Sequence, residues 1–313
     1  MKTTKCFVFL TLCTFLLSGC IGSGKKSNKG FVAQGFGRAE QQLAAQIKAV
    51  PDSTRFPRTI SKDGKRVVTH RNDWTEGFYP GCLWYIYEYT GKENWKKAAV
   101  KWTETLEPLK KLTTHHDIGF LMYCSFGNAY RLTGDERYKD ILVESARSLC
   151  TRFNEKTGCI ESWNYRKSWN GKDEWYFPVI IDNMMNLELL YFATKVTGDS
   201  TFYNIANKHA ETTAKNHFRK DYGSYHVVNY DENTGAVLHR ATCQGFSDNS
   251  TWARGQAWAI YGYTMAYRET KRKDFLDMAI RTADFWLNHS DMPEDGIPYW
   301  DFNAPDIPEA LRD

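Results

Sequence analysis

"YRLTGDERYKDILVESARSL", residues 130–149, reads as the end of one helix, a short polar turn and the start of a second, amphipathic helix. Gly134 suits the left-handed residue that commonly closes a helix, and Tyr138 opens the next apolar stripe. The phrase recurs. "YEYTGKENWKKAAVKWTETL" begins at Tyr87, "TKVTGDSTFYNIANKHAETT" at Thr194 and "YRETKRKDFLDMAIRTADFW" at Tyr267. Gly91 and Gly198 repeat the closing glycine, and Trp95, Tyr203 and Phe275 repeat the aromatic.

The segments entering these turns differ from those leaving them. "GCLWYIYEY", "IGFLMYCSFGNAY", "MMNLELLYFA" and "QAWAIYGYTMAY" are apolar almost all round, as befits helices buried on every side. The segments that follow are amphipathic and suit an outer layer. An internal repeat of inner and outer helices predicts an all-α fold, an α/α toroid, rather than an irregular bundle. With a helix near 38–49, four entering and four leaving, nine helices are expected where a closed six-hairpin toroid needs twelve. One β-hairpin is expected, with "SYHVVNY" and "AVLHRAT" flanking the turn residues of "DENTG".

In a toroid the inner helices all begin on one face, so the residues just ahead of them line a common pocket. "NDWTEGFYPG", "THHDIGF", "VIIDNMMN" and "SDNSTWARGQAW" hold that place, each bringing a carboxylate, an aromatic or an arginine. Asp117 has a structural reading as a helix N-cap. Asp182 lies between Ile180–Ile181 and Met184–Met185, where desolvation raises a carboxyl pKa and suits the group to general-acid work. The two aspartates are therefore either a catalytic pair or two caps. His115 and His116 point about 100° apart on a helix start, and no HxxxH spacing supports a metal site, so His116 is expected to support the site through hydrogen bonds. Arg254, flanked by Trp252 and Trp258, either stacks on the indoles or clamps a carboxylate in an aromatic pocket.

The formal net charge of +4 excludes a strongly electrostatic nucleic-acid binder. "MKTTKCFVFLTLCTFLLSGC" reads as a secretory leader, and its "LSGC" ending resembles a bacterial lipoprotein box. Residues 1–19 are thus expected to be removed and Cys20 lipidated. Residues 20–35 would form a flexible tether and 36–313 a single catalytic domain, anchored to the cell envelope by its lipid alone. The five later cysteines form no CxxC and are expected to be small buried hydrophobes.

"DWTEGFYPGCLW", "HHDIGF", "IIDNMMNLELL", "SYHVVNYD", "TCQGFSDNSTWARGQAWAIYGY" and "DGIPYWDF", in that order, resemble the unsaturated glucuronyl hydrolases, glycoside hydrolase family 88. The resemblance implies an (α/α)6 toroid, no metal or organic cofactor, and a substrate bearing a terminal 4,5-unsaturated uronic acid left by polysaccharide lyases. In that chemistry a carboxylic acid protonates C4 of the enol ether, water adds at C5, and the hemiketal opens to release the partner sugar. Asp182 matches the family's acid/base and Asp117 its partner carboxylate. Arg254 matches the residue near the substrate carboxylate, and Trp74 and Trp258 match stacking residues. His226 and Gln244 match polar pocket residues, Thr242 a binding position, and Trp163 the aromatic that meets the next sugar.

Two departures from the family stand out. Arg240 and Ala241 occupy positions where relatives can have glycines, and an arginine there would favour sulfated sugars. Relatives also continue past the final "RD", so the toroid is expected to be truncated, with apolar flanks exposed. The rivals are a glycan-binding lipoprotein without catalysis, the related rhamnogalacturonyl hydrolases, and a toroidal epimerase or inverting glycosidase acting on saturated sugars.

Overall fold

The computed structural model describes residues 28–312. The leader, Cys20 and the tether as far as residue 27 lie outside the described residues. α1 (Asn28–Ala49) already includes residues 28–35, which the sequence placed in the tether. Four helical hairpins follow. α2 (Phe78–Thr90) turns into α3 (Glu93–Glu104). α4 (Ile118–Met122) continues through a π turn (Tyr123–Gly127) into α5 (Asn128–Thr133), which turns into α6 (Glu136–Cys150). α7 (Asn183–Thr197) pairs with α8 (Ser200–Asn216), and α9 (Ala253–Thr270) with α10 (Lys273–Asn288). If α4 and α5 are taken as one run, the described residues hold the nine expected helices, in the hairpin repeat of an α/α toroid.

The turns close as their chemistry requires. Gly91, Gly134 and Gly198 sit at φ of 66°, 69° and 75°, the left-handed region a glycine enters without strain. Trp95, Tyr138 and Phe275 are buried behind their turns. In the third repeat Phe202 takes that place, and its neighbour Tyr203 is only half-buried.

The inner helices pack side by side in the order α2, α4–α5, α7, α9. Glycines permit close approaches between them. A Cβ on Gly119 would lie 2.4 Å from the Asn186 side chain, and one on Gly262 would lie 2.4 Å from Met184 Cβ. Leu83, Trp84, Leu121, Met122, Leu187, Leu190 and Tyr263 fill one continuous core between the layers. Burial of each such side chain contributes about 1.5–3 kcal/mol.

The strands exceed expectation. The predicted hairpin is β8 (Val227–Tyr230) and β9 (Val237–Ala241), but β7 (Pro178–Ile180) adds a third strand along β8. β1 (Arg55–Ile60) and β2 (Arg66–His70) form a further antiparallel pair, and β3 (Phe153–Asn154), β4 (Cys159–Ile160), β5 (Arg166–Lys167) and β6 (Glu174–Trp175) make two short ladders. Two- and three-residue strands present no alternating pattern, and β1–β2 expose most of their side chains. The cysteines also depart from expectation. All five described cysteines are free, but only Cys159 is fully buried, and Cys82 is exposed.

Candidate active site

Asp117 and Asp182 occupy the N-cap positions of α4 and α7, and neither side chain makes a capping hydrogen bond. Asp135 and Asp199 show what a cap looks like in this chain: each accepts a backbone N–H two residues on, at 2.9 Å. The capping reading therefore fails for Asp117 and Asp182, whose carboxyls turn inward.

Backbone ties gather the segments that carry the pocket residues. Ile181 N–H donates to His226 O at 3.0 Å, so the strand that delivers Asp182 runs beside His226. His116 N–H donates to Ser162 O, Ser162 N–H donates to Pro178 O, and His115 bridges Trp163. A fourth segment holds the start of α9. Ala253 N–H donates to Trp300 O, and buried Asp301 accepts from the Phe246 N–H and the Ser250 hydroxyl.

The two carboxyls differ in protonation. Burial and the neighbouring Asp117 charge push Asp182 up to about 7, against the pull of Arg254 and the Trp258 indole. Burial also works to raise Asp117, but His116, His115 and Arg152 outweigh it and hold that carboxyl below the usual range. His115 Nδ1 lies 2.9 Å from Asp117 Oδ2, and His116 Nε2 lies 3.2 Å from Oδ1. The site thus presents an acid beside a carboxylate, which is the arrangement proton transfer requires.

Around this pair stands an aromatic wall. Phe120 stacks on Trp258 with centroids 6.4 Å apart and meets Trp74 edge-on at 6.1 Å. The Arg254 guanidinium lies 4.5 Å from the Trp252 ring and 5.9 Å from Trp74, and donates to Gln244 Oε1 at 3.0 Å. His226 Nδ1 accepts the N–H groups of Cys243 and Gln244 at 3.0 and 3.1 Å, leaving Nε2 3.8 Å from Asp182 Oδ2. Its ring meets Trp163 edge-on at 6.3 Å. Asp182, Asp117, Arg254, Trp258, Trp74, His226, His116, Gln244 and Trp163 are therefore brought together. Thr242 is committed to the adjoining loop: its N–H donates to Asp248 and its hydroxyl accepts from Gly245 N–H.

Arg240 departs from its expected place. Ala241 packs with Ile180, Val227 and Trp163, so the preceding side chain on β9 points to the opposite face. There Arg240 donates to Asn216 O at 2.7 Å and stacks over Tyr225. The cation beside Trp163 is instead Arg166, 4.5 Å from the indole. Sequence reasoning also missed Asn183, Asn186 and Arg152. Two asparagines among the apolar residues of the first turn and a half of α7 were the available signal. No group of three or more His, Cys, Asp or Glu side chains among the described residues is placed to hold a metal ion.

Asp182 Oδ2 and His226 Nε2, 3.8 Å apart, are both buried without a hydrogen bond. Buried polar atoms are normally satisfied, so their convergence here marks a place built for a polar ligand.

Known proteins share this arrangement's sequence and fold. The chain is 45% identical over 306 residues to the unsaturated glucuronyl hydrolase of Formosa agariphila, covering 96% of this chain and 75% of that one. It is 34% identical to the unsaturated chondroitin disaccharide hydrolase of Streptococcus pneumoniae, over 90% of this chain and 70% of that one. Among solved structures, an unsaturated glucuronyl hydrolase specific for heparin superposes with a TM-score of 0.83 at 44% identity, covering 89% of this chain and 74% of that one. The Bacillus sp. GL1 enzyme superposes at 0.81 and 35% identity, covering 90% and 73%. Residues 52–288 match the profile of Glycosyl Hydrolase Family 88, a span that carries both carboxyls, both histidines and the aromatic wall; the chain belongs to that family.

Proposed function

We propose that this chain removes the terminal 4,5-unsaturated uronic acid from lyase-generated, glycosaminoglycan-type oligosaccharides. Asp182 donates its proton to C4 of the enol ether, and the positive character that develops at C5 is met by water. The Asp182 carboxylate takes back a proton as that water adds. The product is a hemiketal that opens and releases the partner sugar, so atoms and charge balance without a cofactor. Arg254, set among Trp74, Trp252 and Trp258, suits the uronate carboxylate. The observation that carries this reading is a buried carboxyl, Asp182, that makes no capping bond and faces His226 Nε2 at 3.8 Å, with burial and the Asp117 charge both favouring its protonated form. Names of relatives support the substrate class: two act, as named, on unsaturated glucuronyl and chondroitin disaccharide substrates. Export and lipid attachment through Cys20 belong to the same reading and rest on the "LSGC" leader.

The experiment is loss of the ultraviolet absorbance of the unsaturated uronate, followed across lyase-generated disaccharides from chondroitin, hyaluronan and heparin. Turnover of at least one is expected. Binding without turnover of any would favour the glycan-binding lipoprotein instead.

A further inference from the structure

Two asparagines on α7 are buried in a helix whose other inward groups are apolar, and neither has a task in the chemistry above. Asn183 Nδ2 donates to Ile160 O at 2.7 Å, and Asn183 Oδ1 accepts from Asn186 Nδ2 at 3.1 Å. Asn186 Oδ1 accepts the backbone N–H of Phe120 at 2.9 Å. A backbone amide can only donate, so the oxygen and nitrogen of Asn186 are fixed independently of the imidazole beside them. That nitrogen lies 3.0 Å from His116 Nδ1, which must therefore accept. A neutral imidazole carries one N–H, and it is left on Nε2, facing Asp117 Oδ1. Burial keeps the ring neutral, drawing its pKa down to about 4. His226 is fixed in the same sense by two backbone donors on Nδ1, with Nε2 facing Asp182.

We propose that Asn186, seated by Asn183, is a positioning residue: it locks His116 in the Nε2–H tautomer, which holds Asp117 ionised, and the Asp117 charge in turn keeps the proton on Asp182. The inference deepens the proposed function and rests on it for its catalytic part; the tautomer stands apart from it. Asn186 also packs directly against α4, its side chain occupying the space a Cβ on Gly119 would need. The charged and titratable groups facing Asp117 are His115, His116 and Arg152, and those facing Asp182 are Asp117, Arg254 and His226.

The first test needs no variant of Asn186 and no substrate. Long-range proton–nitrogen correlation on the full chain, labelled with 15N-histidine, reads the tautomer of each ring. The signal that disappears in His116→Gln is expected to be a neutral Nε2–H imidazole at pH 7. A charged ring or an Nδ1–H tautomer there overturns the proposal. The second test is Asn186→Asp, which keeps the volume and the acceptor for Phe120 N–H but turns the donor into an acceptor, so that Nδ1 must take a proton. With an unsaturated disaccharide, kcat is expected to fall about a hundredfold or more, as wrong-tautomer variants do, with KM changed by less than about threefold. The descending limb of kcat against pH should move to lower pH, because a protonated His116 or a neutralised Asp117 both favour loss of the Asp182 proton. An unchanged kcat and pH limb overturns the proposal, as does a loss of activity that leaves the limb in place and only lowers Tm. Absence of turnover by the wild-type chain would instead remove the functional reading and leave the tautomer result to stand or fall alone.

Discussion

Asp117 and Asp182 show how far position alone is from function. They are the same residue type at equivalent helix starts, yet one is held ionised by histidines while the other keeps its proton. Since a general acid works only while protonated, kcat for an unsaturated disaccharide should hold on the acid side and fall as pH rises through about 7. Asp182→Asn keeps the shape but has no comparable proton to give, and turnover should fall by about a thousandfold or more, with Tm preserved. Near-normal turnover by that variant would remove Asp182 from the chemistry. The dry surroundings of Asp182 were legible in "VIIDNMM", because apolar neighbours on both sides already imply desolvation. The more distant support of Asp117 was not, since Arg152 lies just beyond the end of α6 and Asn186 reaches His116 only through the packing of α4 against α7.

Helices declare themselves through period and punctuation, so the four hairpins were readable from polar turns, three of them closed by glycine, and from apolar runs. The small ladders were not, because a two-residue strand is defined by its partner rather than by its own sequence. Arg240 illustrates the loss: its position next to Ala241 was visible, but which face of β9 it takes depends on register against β8. The fourth turn lacks its glycine, and Lys271 adopts the left-handed conformation at φ 60°. A side chain in that region costs about 1–2 kcal/mol, part of which the greater unfolded-state freedom of glycine offsets. Lys271→Gly is therefore expected to stabilise the chain by about 0.5–1 kcal/mol, raising Tm by about 1–2 °C without altering activity. A lower Tm in thermal unfolding would contradict this account of the turn.

Among the described residues four histidines are buried: His116 and His226 in the pocket, His209 and His217 outside it. Burial lowers their pKa values to about 4, 3, 3 and 4, so the folded chain leaves all four neutral well below the usual imidazole range. Once unfolded, each takes up a proton as pH falls through 6.5. Their contribution to stability is fully present above that value and is lost progressively below it. Two carboxyls work the other way. Burial raises Asp182 and Glu76 to about 7, so the folded chain holds two protons that the unfolded chain releases until pH approaches their ordinary values. Between pH 6 and 5 the unfolded chain therefore binds a net excess of about two protons, and stability should fall by about 3 kcal/mol per pH unit. Total stabilities of domains are about 5–15 kcal/mol, so the loss between pH 7 and 5 is a sizeable fraction of the whole, with the maximum near 7. Urea midpoints at pH 7, 6 and 5 measure the slope directly, and a flat series would refute it. His209 offers the control outside the pocket, where its Nδ1 accepts Ile160 N–H at 3.0 Å. His209→Asn retains an acceptor but no titrating ring, and should reduce the slope by about one proton, or about 1.4 kcal/mol per pH unit.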